Sequence, residues 1–199
     1  MTRSGVALCV LLLLPPVVTA QPVALDDYVR MRRSLDAARD GAARAALERQ
    51  AGLALDTLLA AARRDSRLLI MMEQRRGYDT APALETARLV ARDGRVTLQA
   101  LGGPRPQSPE WERAGTVDPA AYLAVVDRLL RDPALIHDWP APRFDPNAPG
   151  PRRAIVVRLA IEAGEREMQA LGGPPYERLA GLAAALLEFC RSVPLGPAP

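Results

Sequence analysis

Two stretches of this 199-residue chain repeat each other without a gap, and that repeat restricts the possible folds more than any other feature. Residues 88–104 read RLVARDGRVTLQALGGP and residues 158–174 read RLAIEAGEREMQALGGP; nine of the 17 aligned positions are identical. The shared run Gln-Ala-Leu-Gly-Gly-Pro occupies 99–104 and again 169–174. A recurrence of this kind indicates a duplicated structural unit. Asp93-Gly94 is a strong two-residue hairpin signal, because glycine accepts positive φ and aspartate tolerates it. Turning there sets Ala91 opposite Val96, Leu89 opposite Leu98 and Ala87 opposite Ala100, so one sheet face is apolar throughout. The equivalent turn in the second copy is Ala163-Gly164, which pairs Ile161 with Arg166, Leu159 with Met168 and Val157 with Ala170. Arg166 is then the exception on an otherwise apolar face. A slip of one residue would bury Arg92, Arg95 and Thr97 instead.

Each hairpin ends in Gly-Gly-Pro and leads to a helix. In the second copy Pro174-Pro175 opens a helix with Leu179, Leu182, Ala183, Leu186 and Cys190 on one side. In the first, an inserted loop from Arg105 to Val117 delays it. That helix starts at the capping Asp118, carries Tyr122, Val125, Val126 and Leu129 on its stripe, and stops at Asp132-Pro133. Upstream, residues 24–64 lack proline and favour helix. They carry one apolar stripe at Leu25, Tyr28, Val29, Met31 and Leu35, and another at Leu47, Ala51, Leu55, Leu58 and Ala62. The phase slips at Asp40-Gly41, so the reading is two helices or one kinked helix. The run Leu68 to Met72 is of strand length and apolar on both sides, which predicts a strand covered on both faces, with the N-terminal helix as the second cover. The expected class is therefore α+β: an antiparallel sheet built from two ββα repeats, preceded by a long or kinked N-terminal helix. By domain the chain reads as a signal peptide at 1–20, a helical segment at 21–65, the duplicated unit at 66–193 and a disordered tail at 194–199.

The first twenty residues combine a cationic start at Arg3, an apolar run from Val6 to Leu14 and a small-x-small end at Val18 and Ala20. These are the parts of a cleavable export signal, with cleavage before Gln21. Pro15-Pro16 stops the run short of the roughly 20 residues a membrane span requires. The expected location is periplasmic or secreted, with no transmembrane segment after cleavage. Cys9 leaves with the signal; Cys190 alone remains, so no internal disulfide can staple the mature chain.

Charge excludes one class of partner. The 26 basic residues are all arginine and are interspersed with 23 acidic ones, so the chain shows no basic stripe of the nucleic-acid type. Chemistry-bearing groups are few. His137 is the only histidine, and no nucleophile of matched spacing accompanies it. A dyad of His137 with Asp138 or Asp145 is the one hydrolase arrangement the residues permit. One histidine and one distant cysteine make no zinc site, and no cofactor motif is present. The residues best suited to a binding surface are aromatic or polar groups on expected loops: Tyr78, Trp111, His137, Trp139 and Phe144.

The segment Arg158 to Arg191 (strand, turn, strand, proline loop, amphipathic helix) resembles the second half of emfourin-type proteins, small inhibitors of thermolysin-like metalloproteases. The layout of residues 84–191 is similar too, as it is to exported bacterial domains of unknown function. The Ser-Gly-Gly segment associated with the first loop of that family is absent; Arg76-Gly77-Tyr78 stands near its place, so no inhibitory residue carries over. The resemblance implies a non-catalytic binding module whose partner is another exported protein, a protease among the candidates. Self-association through the N-terminal helix is the alternative expectation.

Overall fold

The computed structural model describes residues 23–74, 83–103, 109–139 and 153–197. The expected signal segment and the loops holding Tyr78, Phe144 and Asp145 lie outside them. Eleven elements run in the order α1 (Leu25–Ala37), α2 (Gly41–Arg64), β1 (Asp65–Gln74), β2 (Ala83–Arg92), β3 (Arg95–Gly103), β4 (Trp111–Val117), α3 (Pro119–Arg131), α4 (Pro133–Ile136), β5 (Arg153–Ile161), β6 (Gly164–Leu171) and α5 (Gly173–Ser192). The six strands form one antiparallel sheet in the order β4-β3-β2-β1-β5-β6. The chain is α+β.

The N-terminal segment is two helices. Asp40 divides them by accepting a hydrogen bond from the Ala43 amide at 2.8 Å, satisfying a donor at the start of α2. Asp118 caps α3 in the same way through Ala120. Asp132 ends α3 and caps the single turn of α4, an element with too few residues to show a period.

The first hairpin has the expected register. Asp93 (φ 51°) and Gly94 (φ 76°) form the turn, and Ala87, Leu89 and Ala91 face Ala100, Leu98 and Val96. The second hairpin does not. Its turn is Glu162-Ala163, so Ile161 faces Gly164, Leu159 faces Arg166, Val157 faces Met168 and Ile155 faces Ala170. The physical reason is the turn residues. A turn with two positive φ values suits Asp-Gly but not a pair containing alanine, and here the glycine takes φ 138° just after the turn. The shift is two residues, so the buried face is unchanged. Arg166 remains on that face, half-buried, where it donates to the carbonyls of Leu135 (3.2 Å) and His137 (2.8 Å).

Three other expectations are corrected. The segment expected as a loop up to Val117 contains a strand, β4, with Trp111 on it; the first hairpin is followed by a third strand before its helix. The tail is described as far as Pro197, and Gly196 exchanges backbone hydrogen bonds with Thr116 on the outer side of β4. Most consequentially, the N-terminal helices do not cover the far side of the sheet. Leu68, Ile70, Leu89, Leu98, Leu159 and Met168 are buried on one face, in a single core with Leu58, Tyr122, Leu129, Leu179 and Leu186 from the helices. All five helices pack on that inner face. The outer face, which carries Arg67, Leu69, Met71, Arg88, Val90, Gln99 and Arg158, has no helix on it among the described residues.

The same hexapeptide is used in two ways. In the first copy Gly102 lies in β3 beneath the Trp111 ring, and a Cβ there would sit 2.4 Å from the indole Nε1. In the second, Gly172 and Gly173 hold φ of 62° and 67° at the entry to α5, with open space around Gly172. In the first copy Gly102 makes room for a ring; in the second the glycine pair turns the chain.

Candidate functional site

Of the ring-bearing residues expected on loops, the three that are described, Trp111, His137 and Trp139, sit at opposite edges of the sheet. Trp111 lies on β4 with the Arg191 guanidinium 4.9 Å from its ring centre, and Arg191 also pairs with Glu85. His137 and Trp139 lie at the other edge, where Arg166 of β6 donates to the His137 carbonyl. Five strand spacings separate β4 from β6, about 24 Å, so these residues do not converge on one site. Trp139 donates from Nε1 to the Ala134 carbonyl at 2.8 Å and packs edge-on to the His137 ring. Both indoles are half-buried and already have partners.

His137 is placed for structure. Its Nδ1 is 2.9 Å from Arg178 of α5; a guanidinium only donates, so that ring nitrogen accepts. Asp138, its expected dyad partner, pairs with Arg33 at 2.6 Å. Arg32 and Arg33 donate to the carbonyls of Leu130, Arg131 and Ile136. Together with Arg166 they satisfy the orphan carbonyls at the ends of α3 and α4. The cluster holds two helix ends onto α1 and β6. At the opposite edge Arg113 does the same for α5, donating to the carbonyls of Cys190 (3.2 Å), Arg191 and Val193 (2.8 Å).

The buried polar chemistry is also accounted for. Ser66 Oγ donates to the Ala62 carbonyl at 2.6 Å, so the Tyr122 hydroxyl, 2.7 Å away, donates to Ser66. Burial pushes the Tyr122 pKa up to about 12. The Cys190 thiol is buried and pushed up to about 12 for the same reason, which suppresses thiolate reactivity. Among the described residues no group of three His, Cys, Asp or Glu side chains is placed to hold a metal.

The outer sheet face remains, and it is the candidate surface. Val90 on β2 lies between Arg67 on β1 and Thr97 on β3. Arg88 and Arg92 flank Val90 along its own strand, and Arg95 sits directly opposite Arg92. Four exposed arginines thus ring Val90, each within about 8 Å of it by sheet geometry. A shallow open depression of about 620 Å³ is lined by Val90, Arg92, Asp93, Arg95 and Thr97. Next to the ring, Leu69 lies between Arg88 and Arg158. Arg158 is held differently: Glu167 and Glu165 both pair with it, and the hydrogen bond to Glu167 raises its pKa. Among the described residues none of the four ring arginines pairs with a carboxylate; Asp65 and Asp93 are the nearest acids by position. Sequence patterning missed this surface because its arginines are spread over residues 67–95 and converge only when three strands pair.

Comparison with known proteins adds no identity: no family model, no curated protein and no solved structure matches the chain.

Proposed function

We propose that the chain is a non-catalytic binding module that acts after export and engages another exported protein through the outer face of its sheet. The observation that carries this reading is the outer face itself. Its central strands present Leu69, Met71 and Val90, half-buried and uncovered by any helix among the described residues, beside unpaired arginines. Apolar area next to groups capable of directed hydrogen bonds is the composition of a docking surface. The N-terminal charge, apolar run and cleavage pattern support export, and no helix among the described residues is long and apolar enough to cross a membrane. The arrangement of hairpins supports the duplication. Every β1 residue from Ser66 to Gln74 is flanked by one residue of β2 and one of β5 that lie 70 positions apart, as Leu68 is by Leu89 and Leu159. The two halves have since diverged in turn register and in the element that comes after the second strand, a further strand in one and a helix in the other.

The test is site-specific photo-crosslinking in cells that export the protein. A crosslinker at Gln99, on the outer face, is expected to give one discrete adduct with an envelope or secreted protein. A crosslinker at Asp56, on the exposed side of α2, is expected to give none. No adduct from Gln99, or the same adducts from both positions, would overturn the reading.

A second reading, self-association through the N-terminal helices, has one observation in its favour: Leu53 on α2 is 71% exposed. A monomer in sedimentation, unchanged by Leu53→Glu, would remove it.

A further inference from the structure

We infer that the partner docks through an acidic segment, whose carboxylates engage the ring of Arg67, Arg88, Arg92 and Arg95 around Val90; this rests on the binding-module reading above. The sheet places Arg92 between Arg95 on β3 and Asp65 on β1, so a single carboxylate stands beside two like charges whose direct opposition disfavours a strand pair. Several arginines elsewhere in the fold are offset. Arg158, on the same face, has Glu165 and Glu167; Arg64 has Glu162 and Arg131 has Asp127. What distinguishes the ring is its density on one open face: four guanidiniums against two acids by position, Asp65 and Asp93, with no ion pair between them among the described residues.

Guanidinium groups present paired N–H donors that match a carboxylate edge, so they select planar anions. Val90 and the aliphatic stems of the arginines form an apolar floor between them. That combination suits a polypeptide with alternating acidic and apolar side chains better than a small anion. A second copy of this chain is a poor occupant. Arg67 and Arg88 lie on the two central strands, so stacking two outer faces about a twofold axis sets their guanidiniums against those of the other copy. A long polyanion needs a basic track, whereas Glu165 and Glu167 bound the face on the β6 side.

The experiment uses the full chain and a fluorescein-labelled ten-residue peptide of alternating glutamate and leucine. Its controls are the counterpart with lysine for glutamate and a single-stranded DNA 20-mer. The acidic peptide is expected to bind, the lysine peptide and the DNA not to. Arg67→Glu with Arg88→Glu is expected to weaken binding about tenfold, two exposed pairs being lost and reversed, whereas Arg63→Glu on α2 leaves it unchanged. Should the double variant fold poorly, salt titration of the wild type decides: affinity is expected to fall as salt screens the ring. Equal binding of both peptides, tighter binding of the DNA, salt-independent affinity, or a dimer that dissociates in the double variant would each overturn the inference. The Gln99 adduct separates the two levels: its persistence in the double variant removes the acidic segment but keeps the binding module, and its absence in the wild type removes both.

Discussion

Replacing Ser66 by alanine should cost the fold more than replacing Tyr122 by phenylalanine, although both changes break the same 2.7 Å contact. Ser66 has one hydroxyl proton, committed to the Ala62 carbonyl, which lies in the last turn of α2 where helix carbonyls lack internal partners. Ser66→Ala therefore orphans two buried groups, the Ala62 carbonyl and the Tyr122 hydroxyl. An unsatisfied buried polar group costs about 1–3 kcal/mol, so the expected loss for two is about 2–6 kcal/mol. Tyr122→Phe removes a donor and leaves Ser66 still bonded to Ala62, for a loss of about 1 kcal/mol. The double variant should be no worse than Ser66→Ala, because the tyrosine hydroxyl is no longer there to be stranded. For a chain of this size, 1 kcal/mol moves the melting temperature by about 2–4 °C. Calorimetry of the four proteins at neutral pH, with denaturant titration for the free energies, reads the cycle. Tyr122→Phe as damaging as Ser66→Ala, or strictly additive losses, would refute the assignment of donor and acceptor.

Tyr122 titrates near 12 when folded and near 10 when unfolded, so its folded pKa is the higher one. Its stabilisation is complete below pH 10 and is lost as pH rises to 12, about 3 kcal/mol in all; Tyr122→Phe should show a shallower decline over that window. Gly102→Ala should displace the Trp111 ring and cost about 1–3 kcal/mol through overpacking, with a change in tryptophan fluorescence. Gly172→Ala meets no neighbour but places a side chain at φ 62°, costing about 1–2 kcal/mol and leaving the fluorescence unchanged. Arg113→Met should free the end of α5, seen as faster amide exchange at Val193 and a loss of about 1–3 kcal/mol. Amino-terminal sequencing of exported protein should begin at Gln21; an intact Met1 would refute the export reading.

The sequence disclosed as much of the fold as local chemistry determines. Asp93-Gly94 fixes a turn by itself, and that turn sets the register of the strands on both sides of it. Ala163-Gly164 looks equivalent in alignment, yet alanine does not favour the conformation Asp93 adopts, so the turn moved and the pairing moved by two. The strand β4 was hidden because its inward positions are Trp111, Arg113, Gly115 and Val117, a period of two interrupted by a charge and a glycine. Arg113 is inward for the carbonyls of α5, and Gly115 because the Gly196 carbonyl passes 2.7 Å from where its Cβ would be. Both reasons involve residues about 80 positions away. The apolar run at 68–72 misled in the opposite direction, since Leu69 and Met71 face outward with no helix over them among the described residues. The arginine ring shares this property: each residue is ordinary in its own strand, and only pairing brings the four together.

Thiol labelling along β2 and β3 tests the central claim, that one face of the sheet is buried and the other open. With Cys9 removed and Cys190 buried and held protonated, single cysteines at Arg88 and Gln99 should react with a maleimide at nearly the rate of the unfolded chain. Cysteines at Leu89 and Leu98 should be protected until the protein unfolds. Equal protection at all four positions would mean that both faces are covered and would contradict the account.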